Sequence, residues 1–154
     1  MHLYYRLVKI IAAFSQLFFF RRKIVSGYDL KDLKGPAIIA SNHPNSMVDA
    51  ILIATECKEP VHFMVRSDMF NHPLFRKFLL ALNGLPIFRE AEEKYKLREN
   101  FNVIRHCIDI LKTNGIIIIF PDGITMHDWT LRLPKSGLAQ IIWAAKEYPK
   151  WNKN

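Results

Sequence analysis

His43 and Asp49 share the short segment Ser41-Asn42-His43-Pro44-Asn45-Ser46-Met47-Val48-Asp49. A histidine held by a carboxylate can take a proton from an alcohol near neutral pH. The run before it, Pro36 to Ser41, is apolar and carries consecutive isoleucines, so it reads as a buried strand. Met47 to Cys57 has the apolar spacing of a helix. His43 therefore falls at the carboxyl end of a strand, where open α/β sheets place their ligands. Pro44 biases His43 away from helical backbone and leaves the imidazole on the loop. Asp49 also has a purely local reading, in which Ser46-x-x-Asp49 is a capping box with Ser46 at the N-cap and Asp49 at the third helical position. The two readings are compatible, because a carboxylate in the first helical turn lies beside the loop that carries His43. Asn71-His72-Pro73 repeats the Asn-His-Pro tripeptide without an acid in the helix after it, and reads as a turn with Asn71 as the cap.

The elements that must position these groups come from a chain of 154 residues, enough for one domain with a substantial core. Its 22 basic and 14 acidic side chains give a net charge of +8, which favours an anionic partner. The cations are scattered between apolar runs, with no zinc-ligand pattern, RNP-like strand or basic helical stripe, so no nucleic acid is expected. Phospholipid surfaces, phosphorylated substrates and acidic carrier proteins remain. Cys57 and Cys107 are far apart and form no C-x-x-C pair, so both read as core thiols in a reducing compartment. The six histidines are dispersed and H-E-x-x-H is absent, so no metal site is expected. Ser46 has no G-x-S-x-G elbow around it, and a helix cap is a sufficient role for it.

Leu3 to Phe20 is dominated by large apolar side chains and ends against Arg21-Arg22-Lys23. Arg6 and Lys9 inside the run argue against a full membrane span, which needs about 20 mostly apolar residues. The absence of a basic n-region and a small-x-small cleavage site argues against a secretory signal. The preferred reading is an interfacial helix over residues 1–23, aromatic side toward acyl chains and a basic collar near anionic head groups, on the cytoplasmic face of a membrane. The alternative is an ordinary helix docked on its own domain.

Residues 24–154 alternate strand and helix signals. Ile24 to Tyr28 suggests a short strand, Val61 to Val65 another with His62 as a strand side chain, and Asn71 to Leu82 a helix closed by Asn83-Gly84. Leu85 to Arg89 reads as extended. Leu97, Phe101, Ile104, Ile108 and Leu111 recur at helical spacing within Glu92 to Asn114, with Gly115 as the residue past the end. Ile116 to Phe120 has the continuous β-branched pattern of a central parallel strand, and a last helix runs from Leu138 to about Glu147. The expected fold class is α/β, a largely parallel sheet flanked by helices.

Three separated motifs in this order resemble the glycerolipid acyltransferase superfamily, best known for the 1-acyl-glycerol-3-phosphate acyltransferases. Asn42-His43 through Asp49 is similar to the first motif, Gly84-Leu85-Pro86-Ile87-Phe88-Arg89 to the second, and Phe120-Pro121-Asp122-Gly123 to the third, with Leu131 to Gly137 matching the basic segment downstream. The likeness covers roughly residues 25–145. It departs in three places. Five residues separate His43 from Asp49, where the family usually has four. One extra helical residue would rotate Asp49 by about 100°, so the addition is expected in the Pro44-Asn45 turn. Asp122 stands for the usual Glu. The fourth motif, a strand ending in proline, has no counterpart after Trp143, which suggests a short or truncated member.

The resemblance implies transfer of a fatty acyl group from a thioester, acyl-CoA or acyl carrier protein, to a hydroxyl of a lysophospholipid or related acceptor, with no cofactor beyond that co-substrate. His43 would be the base and Asp49 would fix its tautomer. Arg89 reads on its own as a solvated arginine beside Glu90, and the resemblance makes it the candidate for the acceptor phosphate. Pro121-Asp122-Gly123 reads on its own as a turn; by resemblance, Asp122 orders the loop or binds an acceptor hydroxyl and Gly123 admits the ligand. Lys135 would add positive potential. Asn42 and Ser46 support the site structurally. A hydrolase using the same pair to activate water and a silent membrane-binding module are the competing classes.

Overall fold

The computed structural model describes residues 2–45, 47–88, 99–122 and 133–146. Its helices are α1 (His2–Phe19), α2 (Met47–Glu56), α3 (Pro73–Ala81), α4 (Glu99–Lys112) and α5 (Ser136–Lys146); its strands are β1 (Ala37–Ala40), β2 (Val61–Arg66), β3 (Gly84–Ile87) and β4 (Ile116–Ile119). The strands form one all-parallel sheet in the order β1-β4-β2-β3.

β4 occupies an interior position because its four isoleucines can be buried on both faces. Ile116 and Ile118 pack with Cys57 and Val61, against the side covered by Ile53 and Ala54 of α2. Ile117 and Ile119 pack on the other side with Cys107, Ile108, Ile110 and Leu111 of α4 and Ile141 and Ala145 of α5. Register then follows: Ala40 pairs with Ile119 and Phe63 with Ile118, so the carboxyl ends of β1, β4 and β2 finish at one edge.

Helix ends are set by local chemistry. Past α4, Asn114 adopts φ 60°, its N–H donates to Leu111 O and the Gly115 N–H donates to Ile110 O, a Schellman closure. The left-handed residue is therefore Asn114 and not the expected Gly115. The glycine is needed for another reason, since a Cβ there would stand 2.4 Å from Ile110 Cγ2. At α3 the N-cap is His72 and not Asn71, because Asn71 closes the preceding 3-10 turn, Ser67–Phe70, in helical backbone. α5 starts at Ser136, two residues ahead of expectation. The strand expected at 24–28 does not form: Gly27 turns the chain at φ 88°, and Ile24, Val25 and Tyr28 remain exposed with no face to bury.

α1 docks by an unusual face. Tyr5 is buried and its hydroxyl accepts from Val61 N–H, Gln16 Nε2 donates to Thr55 Oγ1, Lys9 Nζ donates to Cys57 O, and Lys23 pairs with Glu56. Two cations thus meet the carbonyl end of α2, where the helix dipole is negative. Lys9, which breaks the apolar run in the sequence, is used inward. Leu3, Leu7, Ile10, Ile11, Phe14, Leu17 and Phe18 face away from the domain.

Ile117→Ala is expected to cost about 2–5 kcal/mol in a denaturant titration, as a buried cavity does, whereas Ile24→Ala should stay within about 0.5 kcal/mol. Burial pushes the Cys107 thiol up to about 12 and raises that of Cys57. The folded state therefore favours the neutral thiol, so Cys107 stabilises the fold fully below the unfolded thiol range and this contribution is lost as pH rises from there toward 12. Iodoacetamide at pH 8 should leave Cys107 unlabelled in the folded chain and alkylate it after unfolding, read by peptide mass.

Candidate active site

The site lies where β1 and β4 end. Ser41 N–H donates to Ile119 O, which carries the ladder one residue past β1. His43 and Asp122 each lie three residues beyond the paired Ala40 and Ile119, in the loops that follow the two strands. The His43 ring stacks on Phe120, with centroids 3.9 Å apart and planes 20° from parallel. A ring stacked flat on a strand-end phenyl group can offer only its edges to other groups.

Asp49 meets one of those edges. His43 Nδ1 is 3.3 Å from Asp49 Oδ2, and both side chains are mostly covered. At that distance the pair is within ion-pair reach but does not have the geometry of a hydrogen bond, and catalytic pairs commonly tighten only when substrate binds. The same Oδ2 accepts from Asn45 N–H at 2.8 Å. The carboxylate is thus both local cap and imidazole partner, and the two sequence readings of Asp49 describe one oxygen. The cap differs in detail from a capping box on Ser46, since the N–H held is that of Asn45. Residues 44 and 45 form a turn and α2 begins only at Met47, so the added residue sits ahead of the helix and Asp49 keeps its direction. Ser46 itself lies outside the described residues.

Asp122 Oδ1 is buried with no hydrogen-bond partner among the described residues. A carboxylate oxygen left so is costly unless something satisfies it. Lys135 N–H donates to Pro121 O at 2.7 Å, which ties the start of the 133–135 segment to the turn after β4 while the lysine side chain stays exposed. Asn42 is exposed, with its carbonyl accepting from Ser41 Oγ. Arg89 and Gly123 lie outside the described residues. Among those described, no three of His, Cys, Asp and Glu are grouped to hold a metal ion.

Two groups were not singled out from the sequence. In the sequence Phe120 is only part of a motif, and its stacking on His43 is decided by a contact between strands far apart in the chain. Arg66 ends β2 at the same edge of the sheet and pairs with Asp68 through Nε to Oδ1 at 3.0 Å and through Nη2 to Oδ2. The only sequence signal for it is a cation directly after the apolar run Val61 to Val65.

A stacked imidazole with a carboxylate beside it, and a second carboxylate past the neighbouring strand end, is an arrangement chemically able to take a proton from a hydroxyl. A family model described as Acyltransferase matches residues 22–149. The chain belongs to this family, within the glycerolipid acyltransferase superfamily. Neither a curated protein nor a solved structure gives a match.

Asp49→Asn keeps an acceptor for Asn45 N–H but no longer holds an imidazolium. It should lower acyl transfer by about 10²–10⁴-fold with little change in melting temperature. Asp49→Ala should lose activity to a similar degree and about 1 kcal/mol of stability besides, measured by denaturant titration.

Proposed function

We propose that the chain moves a fatty acyl group from an acyl thioester, acyl-CoA or acyl carrier protein, to a hydroxyl of a lysophospholipid or related glycerolipid acceptor at a membrane surface. The observation that carries this reading is the His43 Nδ1 to Asp49 Oδ2 approach at 3.3 Å, despite the long spacing in sequence. With the neutral imidazole protonated at Nδ1, the nitrogen that approaches Asp49, the one that accepts a proton is Nε2. Nε2 takes the acceptor hydroxyl proton as that oxygen attacks the thioester carbonyl carbon. The tetrahedral intermediate collapses, the C–S bond breaks, and the departing sulfur takes the proton back from the imidazolium. The products are an ester and a free thiol, the histidine is restored, and no acyl-enzyme is required. Asp49 steadies the charged imidazole and does not itself carry the proton.

Asp122 is a binding group for an acceptor hydroxyl, which supplies a hydrogen bond that its buried oxygen lacks among the described residues. Arg89, by its place in the second motif, and Lys135 are the cations for the acceptor phosphate; Arg66 joins them if the anion displaces Asp68. No helix among the described residues is long and apolar enough to cross a membrane. The outward apolar face of α1, followed by Arg21, Arg22 and Lys23, supports an interfacial seat. The +8 net charge suits an anionic donor as well as an anionic surface.

Mass spectrometry of lipids formed when the chain, in liposomes, is offered a panel of lyso-acceptors with each donor tests the reading. A new ester that needs both substrates is expected, with its rate reduced about 10²–10⁴-fold or more in His43→Ala. Acyl loss at the same rate without acceptor would make the protein a hydrolase, and an unchanged rate in the variant would remove His43 as the base.

A further inference from the structure

α3 is a nine-residue helix that buries little of itself. Leu79 is its only buried residue, whereas Leu74 is 72% exposed, Phe75 52% and Leu80 48%. Such a helix is not shaped by the demands of its own core. The sequence Pro-Leu-Phe-Arg-Lys-Phe-Leu-Leu-Ala contains two cations and no acid.

The exposed face of α3 is continuous with that of α1. Tyr4 of α1 lines one shallow pocket with Leu74, Lys77, Phe78 and Ala81 of α3. Around α1, at about 100° per residue, the outward residues from Leu17 through Phe14 to Tyr4 fill an arc of about 140° that includes no charge. α1 carries no acid either. A second depression on α3, sharing Lys77 with the first, is lined by Phe70, Asn71, Pro73, Arg76 and Leu80. Arg76 and Lys77 therefore stand between apolar side chains on both sides, where their stems can lie along acyl chains and their charges reach a head-group layer.

We infer that α3 is a second bilayer-contacting element, so that the chain seats on an anionic phospholipid surface through a two-helix platform of α1 and α3. The occupant follows from charge as well as apolarity: both helices have only cations, which opposes the pairing of two copies through this face and favours anionic lipid. The platform also has a direction. The 3-10 turn Ser67–Phe70 leads from the carboxyl end of β2 into the first turn of α3. Bilayer contact at Leu74 thus brings the edge of the sheet that carries His43 toward the lipid. This rests on the proposed membrane-surface reaction and adds where the lipid lies.

The test uses the full chain and vesicles of phosphatidylcholine with and without phosphatidylglycerol. Co-sedimentation of Leu74→Glu and Phe78→Glu, both surface substitutions, should show binding to the anionic vesicles weaker by about ten-fold or more, as loss of one large apolar anchor implies. Leu7→Glu on α1 serves as the comparison. Hydrogen exchange on the unaltered chain gives a second reading that needs no folded variant, since residues 73–81 should gain protection when vesicles are added. Transfer to a soluble short-chain acceptor without vesicles should be unchanged in the α3 variants, so a failure of the membrane seat is separable from a failure of the acyltransferase reading. Vesicle binding of both α3 variants equal to that of the unaltered chain, with unchanged exchange in 73–81, would overturn the inference. So would a dimer in sedimentation velocity that the α3 substitutions dissociate while vesicle binding persists.

Discussion

Everything at the active edge depends on β4 being buried from both sides. Four consecutive isoleucines have no polar face, so the only stable place for them is inside a sheet with helices above and below. That demand fixes β1 and β2 as neighbours and makes all connections crossovers, which leaves every strand pointing the same way. Once the strands are parallel, the loops after β1 and β4 emerge together. His43 and Phe120 are in contact for that reason, although some eighty residues separate them, and Asp122 follows Phe120 in the same loop. The chemistry is local to two loops, but its geometry is a consequence of core packing.

Much of this was legible from residue order, because the strongest signals are local. The β4 run, the α4 periodicity and the strand-loop-helix sense of 36–57 each reflect burial patterns that any parallel sheet would impose. The failures have physical causes of their own. Ile24 to Tyr28 has strand composition, but β propensity expresses a fit to a half-buried pleated surface, and no neighbouring strand offers one there. Asn71 suits a cap, but a 3-10 turn upstream consumes it, and the N-cap position falls to His72, whose side chain makes no capping bond. Gly115 was expected to supply the left-handed turn, yet Asn114 adopts it; the glycine answers a close approach to Ile110 that no local pattern encodes. At the site, the His43 and Asp49 pair could be read, whereas the stacking of His43 on Phe120 could not, since it is a contact across two strands.

The spacing between His43 and Asp49 shows how a helix start can absorb a change that a helix interior cannot. Within α2 an added residue would swing the carboxylate by about 100°. Ahead of α2 it lengthens a turn, and the carboxylate itself holds that turn by accepting from Asn45 N–H. Asp49 thus ties down the loop whose imidazole it faces.

α1 makes the complementary point for the opposite end of the sheet. In a helix docked on a soluble domain the apolar face turns inward and the polar face outward. Here the tyrosine hydroxyl, the glutamine and a lysine turn inward, where they satisfy Val61 N–H, Thr55 and the Cys57 carbonyl, and the leucines, isoleucines and phenylalanines turn outward. Polar docking of this kind holds a helix in place without using its apolar surface, because the backbone groups at the end of α2 and the start of β2 need partners in any case. The apolar arc of α1 is thereby left over by construction. Water is a poor neighbour for such a face, at about 25 cal/mol for each Å² exposed, and an acyl-chain boundary is a favourable one. On the proposed seat at a lipid surface, the same hydrophobic force that folds β4 into the core would also act on that arc.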